Sequence, residues 1–412
     1  MLAVPYKERL EEIFSQRKNS LCGLRSRAWK RAWEIGVPDI KSEPFRKVLL
    51  TPLYERKFVE KKIELLDVAP YIRSDMHQVV FINGRFCPHL SSVNALKPCV
   101  VLPIEEAFLR YGIFLQNRIH YNIKNETNFF SLLTEALQDS GLFIYVPPNT
   151  KIEKPIQLIQ LYSGEKCYAS PRIQVMVGSS SELKVFSEQI FLSNDAIVNA
   201  LFDVVVEQNA KCEVEELSLQ SADHIIMQHV RATLRRDSSF SHFFATNGSK
   251  LYRQDINVEL LESGSSTNLK GVWNLNSDRK VHTQILVSHK APSALSNQHY
   301  KGVLKDKSVS TFEGKIYVDP IAQKTESYQL NNNLILEQGA RAFSKPNLEI
   351  FADDVKATHG ATIAELSEEE LFYMRTRGLK AVEAKEILVK GFLDALLKEL
   401  SNSQIREAFN AL

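Results

Sequence analysis

The middle of the chain, from about residue 142 to 355, is a succession of short runs in which apolar and polar residues alternate. In one of these runs Ile173, Val175 and Val177 share a face, a period of two that predicts a half-buried β-strand. No helical period of about ten residues or more separates the runs. Crossover helices are therefore not expected, and without them a βαβ fold is excluded.

This strand pattern fits three all-β architectures: a large sandwich, a barrel or a β-solenoid. Turn signals such as ESGS at 262–265 and NSDR at 276–279 divide the runs. The sequence shows no clean repeat of fixed length, which weakens the solenoid without excluding it. The pattern alone does not choose among the three.

Both ends of the chain have a different texture. Residues 1–140 are predicted to form a mixed, mostly helical region. In it, a basic helix carries Trp29 and Trp33 and ends at Gly36, and another helix covers 129–138. The strand core is expected to span 141–358.

The last part of the chain, 359–412, is predicted to be a helical hairpin. Ser367 followed by Glu370 is a capping box, which marks the start of the first helix. Gly378 is well placed as the residue that ends it. The second helix carries an apolar stripe, so the hairpin either packs on its own domain or offers a groove to a partner.

The charge balance argues against several classes of partner. Lys and Arg number 51 against 49 Asp and Glu, a formal net charge of +2. The basic segment around Trp29 is therefore interpreted as an amphipathic helix, and neither nucleic acid nor a membrane is expected as a partner. The N-terminus lacks the apolar region of a signal peptide, and no stretch approaches the roughly 18 apolar residues of a membrane helix. A cytoplasmic location is expected.

The cysteines restrict metal chemistry. The chain has five, an odd number without metal-ligand spacing, which favours a reducing compartment. None follows Cys212, so any soft-metal chemistry in the second half must use histidine, carboxylate or a partner's sulfur. The sequence also lacks P-loop, GxGxxG, HExxH and GxSxG motifs, so ATP hydrolysis, if involved, must come from a partner.

One family resemblance is specific. The segment ADDVKATHGATIAELSEEELFYMRTRGL (352–379) closely resembles the C-terminal signature of the SufB/SufD family. The preceding segment, 328–354, looks like the same family's last β-helix turns, and 31–53 resembles its N-terminal stretch. Within the family the chain resembles the SufD type, since it has a histidine before Gly360 and NNN at 331–333.

The resemblance implies a mainly β fold, with a right-handed parallel β-helix core between helical N- and C-terminal regions. It implies a non-enzymatic scaffold that pairs with a SufB-type paralogue and binds a SufC-type ABC ATPase through its C-terminal helices. Such a complex builds a transient iron–sulfur cluster and transfers it, with help in iron entry as a further expectation. A homodimer when the chain is alone is also compatible, and the involvement of a flavin stays open.

His359 is the candidate iron or cluster ligand that the resemblance implies, at the interface with the paralogue. The other interpretation is a turn histidine that bonds to backbone at the end of a strand. Many relatives carry a cysteine two residues earlier, where this chain has Ala357. The adjacent Asp353 and Asp354 could hold iron or orient His359. Neighbouring strand residues face opposite sides, so at most one of them faces a given site, and a capping or surface role is favoured for one of them.

The partner-binding prediction concerns the first helix of the terminal hairpin. With the resemblance, its aromatic and basic residues are interpreted as a docking surface for the ATPase, since Tyr and Arg are frequent at binding hot spots. Packing inside the domain is the alternative. The predicted partner-binding residues are Phe372, Tyr373, Arg375, Arg377 and Gly378.

A second class of function was weighed, namely a β-helix polysaccharide lyase or hydrolase, because a fold does not fix a function. Such an enzyme needs acids and bases clustered on adjacent turns. These enzymes are usually secreted, so the missing signal peptide speaks against this class.

Overall fold

The chain forms a parallel β-solenoid of about eight turns, flanked by helices at both termini. This confirms the mainly β class and selects the solenoid from the three architectures that the strand pattern allowed. Its right-handed sense stays a prediction. The computed structural model describes residues 3–17, 21–59, 66–138, 140–219, 223–400 and 403–410.

The helices lie mostly before and after the solenoid. Short 3-10 turns lie at Glu43–Phe45, Ala69–Tyr71, Pro88–Leu90 and Val93–Leu96. The α-helices of the described residues are α1 (Ala3–Gln16), α2 (Cys22–Ile35), α3 (Thr51–Glu55), α4 (Ile104–Asn125), α5 (Phe129–Leu137), α6 (Glu368–Thr376), α7 (Ala381–Leu397) and α8 (Ser403–Asn410).

The strands begin inside the N-terminal region and continue almost to α6. They are β1 (His77–Ile82), β2 (Arg85–Phe86), β3 (Val100–Pro103), β4 (Leu142–Val146), β5 (Ile156–Tyr162), β6 (Tyr168–Ala169), β7 (Arg172–Val177), β8 (Glu182–Phe191), β9 (Ile197–Val206), β10 (Lys211–Ser218), β11 (Ile225–Leu234), β12 (Ser239–Thr246), β13 (Leu251–Leu260), β14 (Ser266–Leu275), β15 (Lys280–His289), β16 (Leu295–Leu304), β17 (Val309–Val318), β18 (Thr325–Ile335), β19 (Arg341–Ile350) and β20 (Val355–Ala364).

Two sheets make up the solenoid. The first has the order β2-β1-β5-β8-β10-β12-β14-β16-β18-β20, and the second has the order β19-β17-β15-β13-β11-β9-β7-β4-β3, with β6 beside β9. The pairs β1–β2 and β3–β4 are antiparallel, and the pairs that follow them are parallel. Strands of the N-terminal region thus begin both sheets, and the expected boundary at 358 falls inside β20.

The length of one turn varies along the solenoid. Register partners are 26 residues apart between Ile225 and Leu251, 29 between Lys280 and Val309, and 32 between Val309 and Arg341. The difference lies partly in the connections and partly in the intervening strand of the other sheet, since β12 has 8 residues and β18 has 11. This variation explains why the sequence shows no repeat of fixed length.

A buried ionic network fastens the N-terminal helices to the outer face of the second sheet. The Asp203 carboxylate accepts hydrogen bonds from Arg118 at 2.9 Å and from Arg231 at 3.2 Å. Nearby, Arg172 Nε donates to Glu135 on α5 at 2.7 Å. Burial acts to raise the pKa of Asp203, but Arg118, Arg231 and Arg172 lower it to about 2. The carboxylate therefore stays charged and couples helix to sheet.

The basic helix α2 packs inside the N-terminal region. Trp29 stacks on Phe14 with ring centroids 4.8 Å apart, and Trp33 meets Phe129 edge-on at 5.3 Å. Arg25 is buried, and its Nε donates to the Ala136 carbonyl at 2.7 Å. This packing agrees with the amphipathic interpretation of the segment. None of the described helices is long and apolar enough to cross a membrane.

The terminal hairpin is divided between packing and exposure. The second half of α7 lies on the outer face of the first sheet, where Leu396 and Leu397 are buried and Lys301 Nζ donates to the Phe392 carbonyl at 2.9 Å. By contrast, Val382 in its first turn is 67% exposed. Packing on its own domain thus holds for the second half of α7, and partner binding by the exposed part stays a prediction.

Candidate functional site

The C-terminal end of the solenoid is open. β19 and β20 form its last turn, and each ends its sheet with no further described strand on its far side. All ten residues of β9 in the middle of the solenoid are buried, whereas the residues of β20 are exposed or half-buried. An edge strand with free N–H and C=O groups can pair with a strand of another chain.

His359 lies in the middle of β20 at this end, and not in a turn at the end of a strand. Its register partner is Gln329 on β18, which in turn pairs with Gln298 on β16. Gln298 and Gln329 are buried in the interior. Register partners on parallel strands share a face, so His359 faces the interior side and is exposed because no further turn covers it.

Ala357 lies on the same face of β20 as His359, two residues away. It is in register with Ser327, which pairs with Ser296 in the interior. A cysteine at position 357 would therefore lie on the same side of the strand as the imidazole. In this chain the open end of the solenoid has only the methyl group of Ala357 at that position.

The two aspartates lie in the turn before β20 and are exposed. The Lys324 N–H donates to the Asp354 carbonyl at 2.6 Å, and the Asp354 N–H donates to Gln323 Oε1 at 2.9 Å. The Asp354 backbone thus shapes the turn. The positions of Asp353 and Asp354 agree with the surface role that the sequence favoured.

The described residues do not form a complete metal site. No three His, Cys, Asp or Glu side chains come together among them in a way that could hold a metal ion. Burial raises the pKa of Cys99 to about 12 and also raises that of Cys212. These thiols stay protonated at neutral pH and are poor ligands. The described residues thus do not place a three-ligand site around His359.

The interior immediately behind His359 is polar. The inward-facing residues of β18 include Gln329, Asn331 and Asn333, all buried. Gln329 Nε2 donates to Gln298 Oε1 at 2.9 Å, and Asn333 Nδ2 donates to Asn331 Oδ1 at 2.7 Å. Gln329 was not predicted from the sequence. One signal for it is present in β18, whose inward positions are polar, whereas earlier turns have apolar residues at such positions.

Helix α6 has the ends that its sequence predicts. The Glu370 N–H donates to Ser367 Oγ at 3.3 Å, which is one half of the expected capping box. At the other end Gly378 has φ +92°, and its N–H donates to the Arg375 carbonyl at 3.0 Å. Gly378 thus sets the turn between α6 and α7, because this left-handed conformation favours glycine.

The predicted docking residues lie on α6 and in the turn that follows it. We call α6, this turn and the exposed first half of α7 the arm. Phe372 is 69% exposed and Tyr373 is 59% exposed, and only Leu371 of α6 is buried. The Arg377 guanidinium lies 5.1 Å from the centroid of the Tyr373 ring. Arg375 is exposed as well. The sequence analysis missed the exposed apolar residues that α7 adds to this arm, Val382 and Ile387.

The arm and the open end are adjacent along the chain. β20 ends at Ala364 and α6 begins at Glu368. In the short link between them, Leu366 packs against a cluster that includes Leu393 of α7. Three residues thus separate the strand that carries His359 from α6.

Known families match both parts of the chain. The family model described as SUF system FeS cluster assembly, SufBD core domain, matches residues 160–392, and the SufBD protein N-terminal region matches 2–158. Together the two matches run from the first residues of the N-terminal region to the second half of α7.

Three relatives illustrate the similarity. A SufBD family protein of Synechocystis sp. is 26% identical over 389 residues, which are 89% of this chain and 84% of that protein. The iron–sulfur cluster assembly protein SufD of Escherichia coli is 28% identical over 385 residues, 90% and 87% of the two chains. The chloroplastic protein ABCI7 of Arabidopsis thaliana is 30% identical over 282 residues, 65% and 58% respectively.

Proposed function

Because this chain belongs to the SufBD family of iron–sulfur cluster assembly proteins, we propose that it is a SufD-type scaffold subunit. It pairs with a SufB-type paralogue, binds a SufC-type ABC ATPase and has no catalytic turnover of its own. The iron–sulfur cluster is the cargo of this complex, and the cytoplasm is its expected location. The similarity to Escherichia coli SufD over 90% of the chain supports the choice of type.

The open end of the solenoid is the surface that pairs with the paralogue. β19 and β20 each offer ten residues of edge strand beside one another. Edge pairing of this kind joins chains through main-chain hydrogen bonds, and alternate side chains give specificity. A partner with the same fold would continue both sheets and cover the polar interior behind His359.

His359 contributes a ligand to iron or to the nascent cluster at this junction. Imidazole is a suitable ligand for iron, and it can complete a cluster site that is otherwise built from thiolates. Among the described residues His359 does not belong to a group of three or more metal-ligating side chains. The remaining ligands, thiolates above all, come from the paralogue.

The projecting arm binds the ATPase. Its exposed aromatic residues Phe372 and Tyr373 supply apolar contact area, and Arg375 and Arg377 supply charge at the rim. Aromatic residues and arginine are the types that most often dominate binding energy. Gly378 acts indirectly, since it holds the turn that orients the two helices of the arm.

Nucleotide would act on the cluster site through the arm. When two ATPase subunits close on ATP, they pull on the arms of the SufB–SufD pair. The link 365–367 passes this pull to β20, which changes the junction around His359 and opens or organises the cluster site. This is a two-state element that nucleotide binding biases.

The observation that carries the proposal is that one continuous segment, 355–376, holds both the exposed strand with His359 and the exposed arm. The test is to purify the chain with its SufB-type and SufC-type partners, reconstitute the complex anaerobically, and compare His359→Ala with the unaltered chain. We expect a several-fold loss of bound iron and cluster. His89→Ala, an exposed histidine of the N-terminal region, is the matched control, and unchanged cluster content in His359→Ala would remove His359 from the mechanism.

A further inference from the structure

Three inward-facing side chains on neighbouring strands form a row, and His359 is the last of them. Gln298, Gln329 and His359 are successive register partners on β16, β18 and β20. Neighbouring strands of a sheet lie about 4.8 Å apart. The Gln329 side chain is therefore the immediate neighbour of the imidazole on the interior side.

The Gln329 carboxamide is buried and only half satisfied. Its residue is 3% exposed, and its Nε2 donates to Gln298 Oε1 at 2.9 Å. Its Oε1 is buried and accepts no hydrogen bond from the described residues. A buried polar atom left without a partner is costly, so this oxygen calls for a donor. An imidazole N–H is such a donor.

The opposite wall of the interior leaves space for this carboxamide. A Cβ placed on Gly314 of β17 would come within 2.1 Å of Gln329 Nε2. Any larger residue at position 314 would displace the Gln329 amide from its present place. The position of the carboxamide beside His359 therefore depends on a glycine across the interior.

From these observations we propose that Gln329 is a positioning residue for His359. Its Oε1 accepts a hydrogen bond from one ring N–H of the imidazole. The other ring nitrogen then carries the lone pair and faces the open end of the solenoid. The inference rests on the proposed function, because it assigns a role to a neighbour of the proposed ligand.

The hydrogen bond would fix the tautomer and the ring orientation of the His359 imidazole before a metal binds. A neutral imidazole binds metal through one nitrogen, and the hydrogen bond made by the other nitrogen fixes which one is free. An exposed histidine without such a bond interconverts between two tautomers and several ring orientations. Gln329 holds one of them before the metal or the partner arrives.

The test uses the full chain with ¹⁵N-labelled histidine, at a pH where the imidazole is neutral. Long-range ¹H–¹⁵N spectra report the tautomer, and His359→Ala identifies the signals of His359. In the unaltered chain we expect one tautomer to dominate by about tenfold or more, the effect of one hydrogen bond. Gln329→Met, which keeps the length but lacks an acceptor, is expected to give a mixture of both.

The rescue variant is Gln329→Glu, which keeps an acceptor oxygen at the same position. Gln298 can turn its free Nε2 toward this carboxylate, so the single tautomer is expected to return. If Gln329→Met does not fold, Gln298→Met tests the same bond, because it removes the acceptor that orients the Gln329 amide; it is expected to give a partial mixture. A tautomer ratio that none of these variants changes would overturn the inference.

Metal binding gives a second readout in the reconstituted complex. A lost partner of a metal-bound histidine typically weakens metal affinity by about 10- to 100-fold, so we expect this loss for Co²⁺ with Gln329→Met and little loss with Gln329→Glu. Failure of the two ideas is distinguishable. If the tautomer responds to Gln329→Met but His359→Ala loads normal amounts of cluster, the proposed function fails and the hydrogen bond stands.

Discussion

At the N-terminal end of the solenoid the two sheets finish against the antiparallel strands β2 and β3, and α4 and α5 cover the adjoining strands of the second sheet. At the C-terminal end, β19 and β20 have no further neighbour in the described ranges. Short antiparallel strands and covering helices are ways in which a protein protects the edge of a sheet. One end of the fold is thus covered by its own chain, whereas the other leaves two ten-residue strands without a described neighbour on their outer side.

The charges under the N-terminal helices differ from those at the open end. On β9, in the middle of the second sheet, Asp203 is fully buried among Arg118, Arg172 and Arg231. At the open end, Lys356 on β20 pairs with Glu326 at 2.9 Å, and both side chains are largely in solvent. Breaking a buried ion pair strongly destabilises the fold, whereas an exposed ion pair contributes little to its stability. This contrast can be tested directly.

The largest expected effect is at the buried ionic network around Asp203. Asp203→Ala leaves buried guanidinium groups without their shared carboxylate, so we expect a loss of about 3–5 kcal/mol in the free energy of unfolding. Urea unfolding followed by circular dichroism measures it. Glu326→Ala, which breaks the exposed pair at the open end, is the matched control and should change stability little. Equal losses for both variants would erase the proposed contrast.

Acid should weaken the buried carboxylates next. Burial acts to raise the pKa of Asp203 and of Asp255, but the arginines beside Asp203, and Arg253 and His229 beside Asp255, lower both to about 2. A depressed folded pKa stabilises the fold above the unfolded value of about 3.9. Each group should therefore lose about 2.6 kcal/mol of stability as the pH falls from about 5 to about 1. Unfolding free energies measured across this range check the loss. In Asp203→Asn the slope should be smaller, and an unchanged slope would contradict the assignment.

At the open end the expected effect is on association. Ile363 on β20 is 49% exposed, so Ile363→Arg should leave the free energy of unfolding within about 0.5 kcal/mol. A charge set into a covered interface should nevertheless weaken binding of the SufB-type paralogue about tenfold or more. Surface plasmon resonance measures this, with Ile113→Arg, which is 81% exposed on α4, as the control. Equal weakening by both variants would argue against the open end as the binding surface.

The smallest expected effect concerns the arm. Phe372→Ala and Tyr373→Ala should each weaken ATPase binding about fivefold, because truncating a hot-spot residue costs more than about 1 kcal/mol. Tyr121 on α4 and Tyr373 are both 59% exposed, which makes Tyr121→Ala a matched control in isothermal titration calorimetry. Unchanged affinity for both arm variants would move the docking surface elsewhere.

Local signals predicted the elements of this fold well. Alternation predicted strands such as β7, and the turn at 262–265 is present, with Gly264 at φ +73°. Ser367 caps the beginning of α6 and Gly378 follows its end, as their residue types indicate. In each case the structure depends on residues that are close in the sequence, so the sequence carries the information.

The parts that could not be predicted depend on distant pairing. Turn lengths of 26 to 32 residues hide the repeat, so sandwich, barrel and solenoid looked alike. The roles of Gln329 and Gly314 require the register of β17, β18 and β20, which no local pattern gives. The strands of the N-terminal region were missed as well. β2 is two residues long and β3 four, and β1, although six residues long, lies in a region that was interpreted as mostly helical.

Amide hydrogen exchange, measured on the chain alone and bound to a SufB-type paralogue, tests the central contrast most directly. Bound chain should show new protection in Arg341–Ile350 and Val355–Ala364, whose outer N–H groups have no described partner strand in the free chain. Leu142–Val146, which is already paired on both sides at the other end, should exchange equally in both samples. Protection that appeared at Leu142–Val146 and not at the last two strands would contradict the account.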